Sequence, residues 1–157
     1  MIFGKNKNEL LDKKLKKILN HKKNVTNLIN LIIIELHKRI NEHDESSLNS
    51  NEVEVLTYFP EYIKKDSYLN EESLAYIREI KNALNIHFKK NSHHPEHFNN
   101  KIKDMNLIDI IEMLCDWKST MSEDDDIISV IKRNKKIYNF SNELMYILIN
   151  TSKIFNK

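Results

Sequence analysis

Apolar residues recur along this chain at intervals of three and four, and no stretch alternates in the twofold manner of a strand. That periodicity predicts an all-α protein. Over residues 9–19, Leu11, Leu15, Ile18 and Leu19 share one helix face, with Lys13, Lys14, Lys16 and Lys17 around the other. A second helix from Lys22 carries Val25, Leu28, Ile29, Ile32, Ile33 and Leu36 to its end near Arg39–Asp44, and its apolar content marks it as the central core helix. Glu45–Asn51 is a polar connection, followed by a short helix through Val53, Leu56 and Tyr58 that Pro60 stops. Asn70-Glu71-Glu72 resembles a helix start, and Leu74, Ile77, Ile80, Ala83, Leu84 and His87 continue its inner face. Residues 91–104 read as a loop or broken helix, after which Asn106 or Asp104 can cap a helix bearing Leu107, Ile110, Ile111, Leu114 and Trp117. The acidic run Glu123–Asp126 favours the start of a helix through Ile127, Val130 and Ile131. A last helix over 141–155 turns Leu144, Ile147, Leu148, Thr151 and Phe155 inward.

With one Gly and two Pro there are few tight turns, and 157 residues suit one domain. The expected fold is a single helical bundle of about six to seven helices over 1–157. An N-terminal helix (1–20) and C-terminal helices (123–157) flank a core (21–117) in which the unusual residues gather. The chain is long enough to bury a core without a metal staple, so any metal would serve function rather than folding. Its single cysteine, Cys115, rules out an internal disulfide and a cysteine zinc motif, and reads as a small buried residue on a helix. A net charge of +2 provides no general field for nucleic acid, and the basic N-terminal face reads as solvated. Neither a leader-like apolar segment nor a membrane span is evident, so the expected location is the cytoplasm.

Six of the seven histidines fall at His21, His43, His87, His93, His94 and His97. His43-Asp44 offers a nitrogen and an oxygen donor from adjacent positions. His93-His94-Pro95-Glu96-His97 follows His87 and Asn91, and Glu112 and Asp116 lie four apart on one helix face beside the apolar stripe. Neutral imidazole with carboxylate is ligand chemistry for first-row divalent ions. A carboxylate at an apolar border is costly unless paired, hydrogen-bonded or coordinated. The proline should hold His94 extended and send His93 and His94 in different directions, one as ligand and the other toward substrate or a supporting role. Glu96 and His97 read as a capping residue and a surface histidine, and Trp117 as core. His21 is the difficult member: along an unbroken helix it would stand roughly 33 Å from His43 at 1.5 Å per residue, so it joins the set only if the helix breaks near residues 37–41.

His21-Lys22 with Val25, His43-Asp44 with Ser46, Glu52, His87 with Asn91, His93-His94, and Glu112-Met113 with Asp116-Trp117 resemble an uncharacterised family of small proteins common in bacteriophages and bacteria. Its motifs are HK, HD-x-S-K, H-x-x-x-N-x-H-H and E-M-x-x-D-W, here in that order over residues 21–117. The pattern is similar, more distantly, to the HD superfamily of metal-dependent phosphohydrolases. That likeness implies an HD-like helical bundle in which His21, His43, Asp44 and Asp116 hold a principal metal, and His87 with His93 or His94 a second. The lysine of HD-x-S-K is Ser47 here, so a phosphate-neutralising role would pass to another cation such as Lys22, Arg39, Lys89 or Lys90.

These readings converge on a phosphohydrolase using one or two divalent ions (Mn, Fe, Co, Zn or Mg) on a nucleotide or other small phosphoester. Asp44 bridges the metals or orients the nucleophile, His94 or Glu112 donates or relays a proton, and Lys22, Arg39 and Asn91 contact substrate. Two other classes fit the same residues: a non-catalytic phage accessory protein that binds a host protein or nucleotide in the host cytoplasm, and a diiron oxygenase. The Leu- and Ile-rich amphipathic termini would accommodate a homodimer.

Overall fold

A computed structural model describes residues 2–48, 71–122 and 124–156. Among them the regular elements are all helical. They are α1 (Ile2–Glu42), α2 (Glu71–Lys90), α3 (Leu107–Ser119), α4 (Ile127–Tyr138) and α5 (Asn142–Ser152). Short 3-10 turns lie at Glu45–Leu48, Pro95–His97, Lys101–Asp104 and Lys153–Asn156. The expected helix through Val53, Leu56 and Tyr58, its stop at Pro60, the start at Asn70, and the motif residue Glu52 lie outside the described residues, as does Glu123.

The chain divides into two compact units, residues 1–41 and 42–157. The first is α1. The two helices expected over 9–19 and from Lys22 are one continuous helix, because neither Gly nor Pro interrupts residues 5–59. The expectation of a buried central helix is also corrected: every residue from 7 to 34 is exposed.

The second unit packs α3, α4, α5 and the turn at Lys101–Asp104 around Met113, Leu114, Ile131 and Leu148, with Ile102, Met105, Ile127, Val130 and Phe140 completing the core. Trp117 packs against this cluster and stacks on Tyr138, ring centroids 6.4 Å apart. Leu107 and Ile147, expected to face inward, are exposed. Cys115 is exposed too, since it follows Leu114 around the helix and turns away from the core stripe.

The helix starts are set locally. Asn106 caps α3 by accepting from the Ile108 and Asp109 amides while Asp109 accepts from the Asn106 amide, a reciprocal capping box. Asp126 and Ser141 cap α4 and α5 through the amides of Ser129 and Leu144. Asp109 has a second use. Fully buried, it also accepts from Ser92 Oγ at 2.7 Å, and so ties the start of α3 to the residue before His93.

Candidate metal centre

α1 ends at Glu42, and the chain leaves it through Asp44 in the left-handed region, φ 51°. Glycine is the usual occupant of such a position after a helix; a residue with a Cβ adopts it at a cost of about 1–2 kcal/mol, least for Asn and Asp. A carboxylate stands here instead. The Asp44 carbonyl accepts from the Ser47 amide at 2.8 Å, which closes the turn at Glu45–Leu48.

The second contribution comes from the end of α2 and the loop after it. His87 is buried on the last turn of α2, and the Asn91 amide nitrogen of the side chain donates to the His87 carbonyl (2.9 Å) and to Ser46 Oγ (2.8 Å), joining the two segments. Ser47 Oγ sits 3.0 Å from His87 Nδ1. His94 is extended before Pro95, φ −88° and ψ 127°, as the proline requires. Its Nε2 nevertheless faces His87 Nε2 at 2.7 Å, and the His93 and His94 rings lie 4.1 Å apart, so the two histidines converge where divergence was expected.

α3 supplies the third contribution. Glu112 Oε1 stands 2.9 Å from His43 Nδ1 and 3.1 Å from His93 Nδ1. An ionised carboxylate only accepts, so both Nδ1 atoms carry the proton and both Nε2 lone pairs are left free. Those lone pairs meet carboxylates: His93 Nε2 is 3.4 Å from Asp44 Oδ1, and His43 Nε2 is 3.8 Å from Asp44 Oδ2 and 4.0 Å from Asp116 Oδ1. His87 Nε2 lies 3.5 Å from the same Asp44 Oδ1.

Among the described residues two overlapping groups of donor atoms result, each within 4.8 Å: Asp44, His87, His93 and His94, and His43, Asp44, His93 and Asp116. Asp44 and His93 belong to both. His93 is 1% exposed, and its Nε2 and Asp44 Oδ1 are buried with no hydrogen-bond partner among the described residues. Buried polar atoms are normally satisfied, and leaving one unsatisfied costs about 1–3 kcal/mol. Two such atoms aimed at the same place, amid further imidazoles and a carboxylate, fit a divalent cation ligated by nitrogen and oxygen.

The protonation states agree with that chemistry. Burial, reinforced by neighbouring His93, His87 and His43, lowers the His94 pKa to about 3. His94 is therefore a neutral imidazole at physiological pH, suited to ligation rather than proton donation. Burial likewise raises the Asp116 carboxyl, with Asp44 adding to the effect and His93, His43 and His87 opposing it. Between pH 6.5 and about 3 the unfolded chain binds a proton at His94 that the folded chain does not. Metal-free protein is thus expected to lose stability as pH falls through that window. Urea midpoints at successive pH values check this, with His94→Ala flattening the dependence.

Of the other residues singled out in the sequence, His21 is exposed on α1 and belongs to neither group. The break that would have brought it in is missing, since α1 is helical throughout Ile2–Glu42. Lys22 is exposed in the first unit and Arg39 pairs with Glu35 at 3.8 Å. Asn91 is buried and braces Ser46 and His87. Glu96 accepts from Tyr138 Oη at 2.8 Å, and burial together with that bond pushes the Tyr138 pKa upward. His97 is exposed beside the Phe88 carbonyl.

A family model described as a family of unknown function, DUF5662, matches residues 11–154. The chain belongs to this family. No curated protein and no solved structure matches the chain. The matched span contains every residue of the DUF5662 member's two donor groups. No described helix is long and apolar enough to cross a membrane.

Proposed function

We propose that this DUF5662 protein is a metal-dependent phosphohydrolase of HD-like type that acts on a nucleotide or another small phosphoester. The observation that carries the reading is the pair of unsatisfied buried atoms, Asp44 Oδ1 and His93 Nε2, within a cluster of four histidines and two carboxylates. His87, His93 and His94 with Asp44 would hold one cation, and His43 and Asp116 with Asp44 a second. Asp44 is the residue able to serve both, because its two oxygens face different partners: Oδ1 faces His87 and His93, and Oδ2 faces His43. His93 presents one free ring nitrogen and serves one ion.

A divalent cation there would supply Lewis acidity toward a phosphoryl oxygen and would acidify a water nucleophile. The protein's own part is to hold the donors in position. Glu112 fixes two imidazoles with Nε2 toward the cluster, Ser47 and Asn91 brace His87, and Asp109 anchors the loop through Ser92. The proton-donor role expected of His94 passes away from it, since its ring is neutral and faces His87.

Elemental analysis of protein purified without chelator, followed by phosphate release from a panel of nucleotides and phosphoesters, tests this reading. One or two ions per chain with metal-dependent phosphate release is the expected result. A chain that takes up no Mn, Fe, Co, Zn or Mg after reconstitution would overturn it and put the non-catalytic binding reading ahead. Bound iron with oxygen uptake and no phosphate release would favour the oxygenase.

A further inference from the structure

The apolar stripe of α1 has no cover in its own unit. Every residue from 7 to 34 is exposed, and on the stripe itself Leu11, Leu15, Ile18, Ile29 and Ile32 are each at least 50% exposed. Helices in water are held chiefly by packing an apolar face, and withdrawing its Leu and Ile side chains from water is what stabilises them. A helix of 41 residues with this face open is therefore one side of an interface.

The spacing says what kind of surface fits it. Leu11, Ile18, Val25 and Ile32 recur at intervals of seven, and Leu15, Lys22, Ile29 and Leu36 form a second track four residues behind them. Apart from Lys22, the apolar alternation of four and three runs from Leu11 to Leu36, roughly 38 Å of helix at 1.5 Å per residue. A strict seven-residue repeat drifts about 20° per heptad around a straight α-helix, so a surface that stays on the stripe for that length must wind with it. A second helix carrying the same repeat does so; a flat or globular surface does not.

Length then selects the partner. The other described helices have 20, 13, 12 and 11 residues and fall short of the stripe. α1 of another copy matches it in both length and repeat. We propose that α1 is a self-association element, packing along α1 of a second copy of this chain as a coiled coil. Lys22 is the polar interruption in an otherwise apolar seam, the device by which such seams fix their register at some cost in stability.

The test is the mass of the full chain in solution by analytical ultracentrifugation over a range of concentrations. An assembly of two or more 18.8 kDa chains is expected, reduced to monomer by Ile18→Glu with Ile32→Glu. Lys22→Leu, which removes a charge from the seam, is expected to shift dissociation to concentrations at least tenfold lower. A wild-type chain that is monomeric at every concentration would overturn the proposal and show that the stripe is covered within one molecule. An assembly that survives the double substitution would overturn it by placing the contact elsewhere. Should the double variant fail to fold, an unchanged dissociation midpoint for Lys22→Leu would serve as the adverse result.

Discussion

Asp44→Asn is expected to reduce metal content to background and phosphate release with it, while the metal-free protein stays folded. The substitution is chosen for the backbone. Asp44 occupies the left-handed region at φ 51°, which Asn tolerates as well as Asp does, so a loss cannot be ascribed to a turn that no longer forms. What changes is the charge and one donor oxygen of the residue that both ligand groups share. The stability signature is opposite in the two metal states. Without metal, wild type keeps Asp44 Oδ1 buried and unsatisfied, at a cost of about 1–3 kcal/mol, whereas an amide can donate to a facing imidazole. Metal-free Asp44→Asn should therefore equal or exceed metal-free wild type in urea midpoint. With metal at a hundredfold excess over its dissociation constant, wild type gains about 2.7 kcal/mol by mass action and the variant gains nothing. Metal titrations followed by urea unfolding read both signs. A variant that keeps its metal and its activity would remove Asp44 from the centre.

The helical class and most of the donor residues were legible in the sequence because each is locally encoded. Apolar spacing marked Ile80, Ala83, Leu114, Val130, Ile131 and Leu148 as inward-facing, and all are buried. Asn106, one of two cap candidates, and the acidic run ending at Asp126 announced two helix starts, which Asn106 and Asp126 cap. His43-Asp44 and His93-His94 stood out because adjacent ligand-type residues are conspicuous in one dimension. Three features were not legible, each for a physical reason. The stripe of α1 looked like a core face because periodicity reports that a face is apolar, not what covers it. The convergence of His93 and His94 depends on χ rotations and on the anchoring of Ser92 to Asp109, two residues 17 apart that no short-range rule connects. Ser47 was noticed only as a missing lysine, yet its hydroxyl meets His87 Nδ1 from 40 residues away. The signal that could have found it is the spacing itself: Ser46 and Ser47 follow Asp44 within one tight turn, so they share whatever the carboxylate faces.

Glu112→Gln is expected to weaken metal binding by about 10- to 100-fold while leaving kcat at saturating metal nearly unchanged, the range found when a group orienting metal-ligating histidines is removed. Sequence reasoning gave Glu112 the role of proton donor or relay; its geometry supports a positioning role. A single oxygen, Oε1, stands within 3.1 Å of Nδ1 of both His43 and His93, so one carboxylate sets the tautomer of a ligand in each group. Glutamine fills the same volume and keeps an acceptor, but the charge that raises the basicity of both rings is gone, and its amide can equally turn two N–H bonds toward them. Imidazoles then lose their bias toward a free Nε2, and each ion must supply the cost of restoring it. The two roles separate cleanly in kinetics. A proton donor replaced by an amide lowers kcat at every metal concentration and leaves metal affinity alone. A positioning group lowers affinity, and excess metal restores turnover. Calorimetric metal titration beside phosphate release as a function of metal concentration distinguishes them, and full affinity with low kcat would return Glu112 to the chemistry.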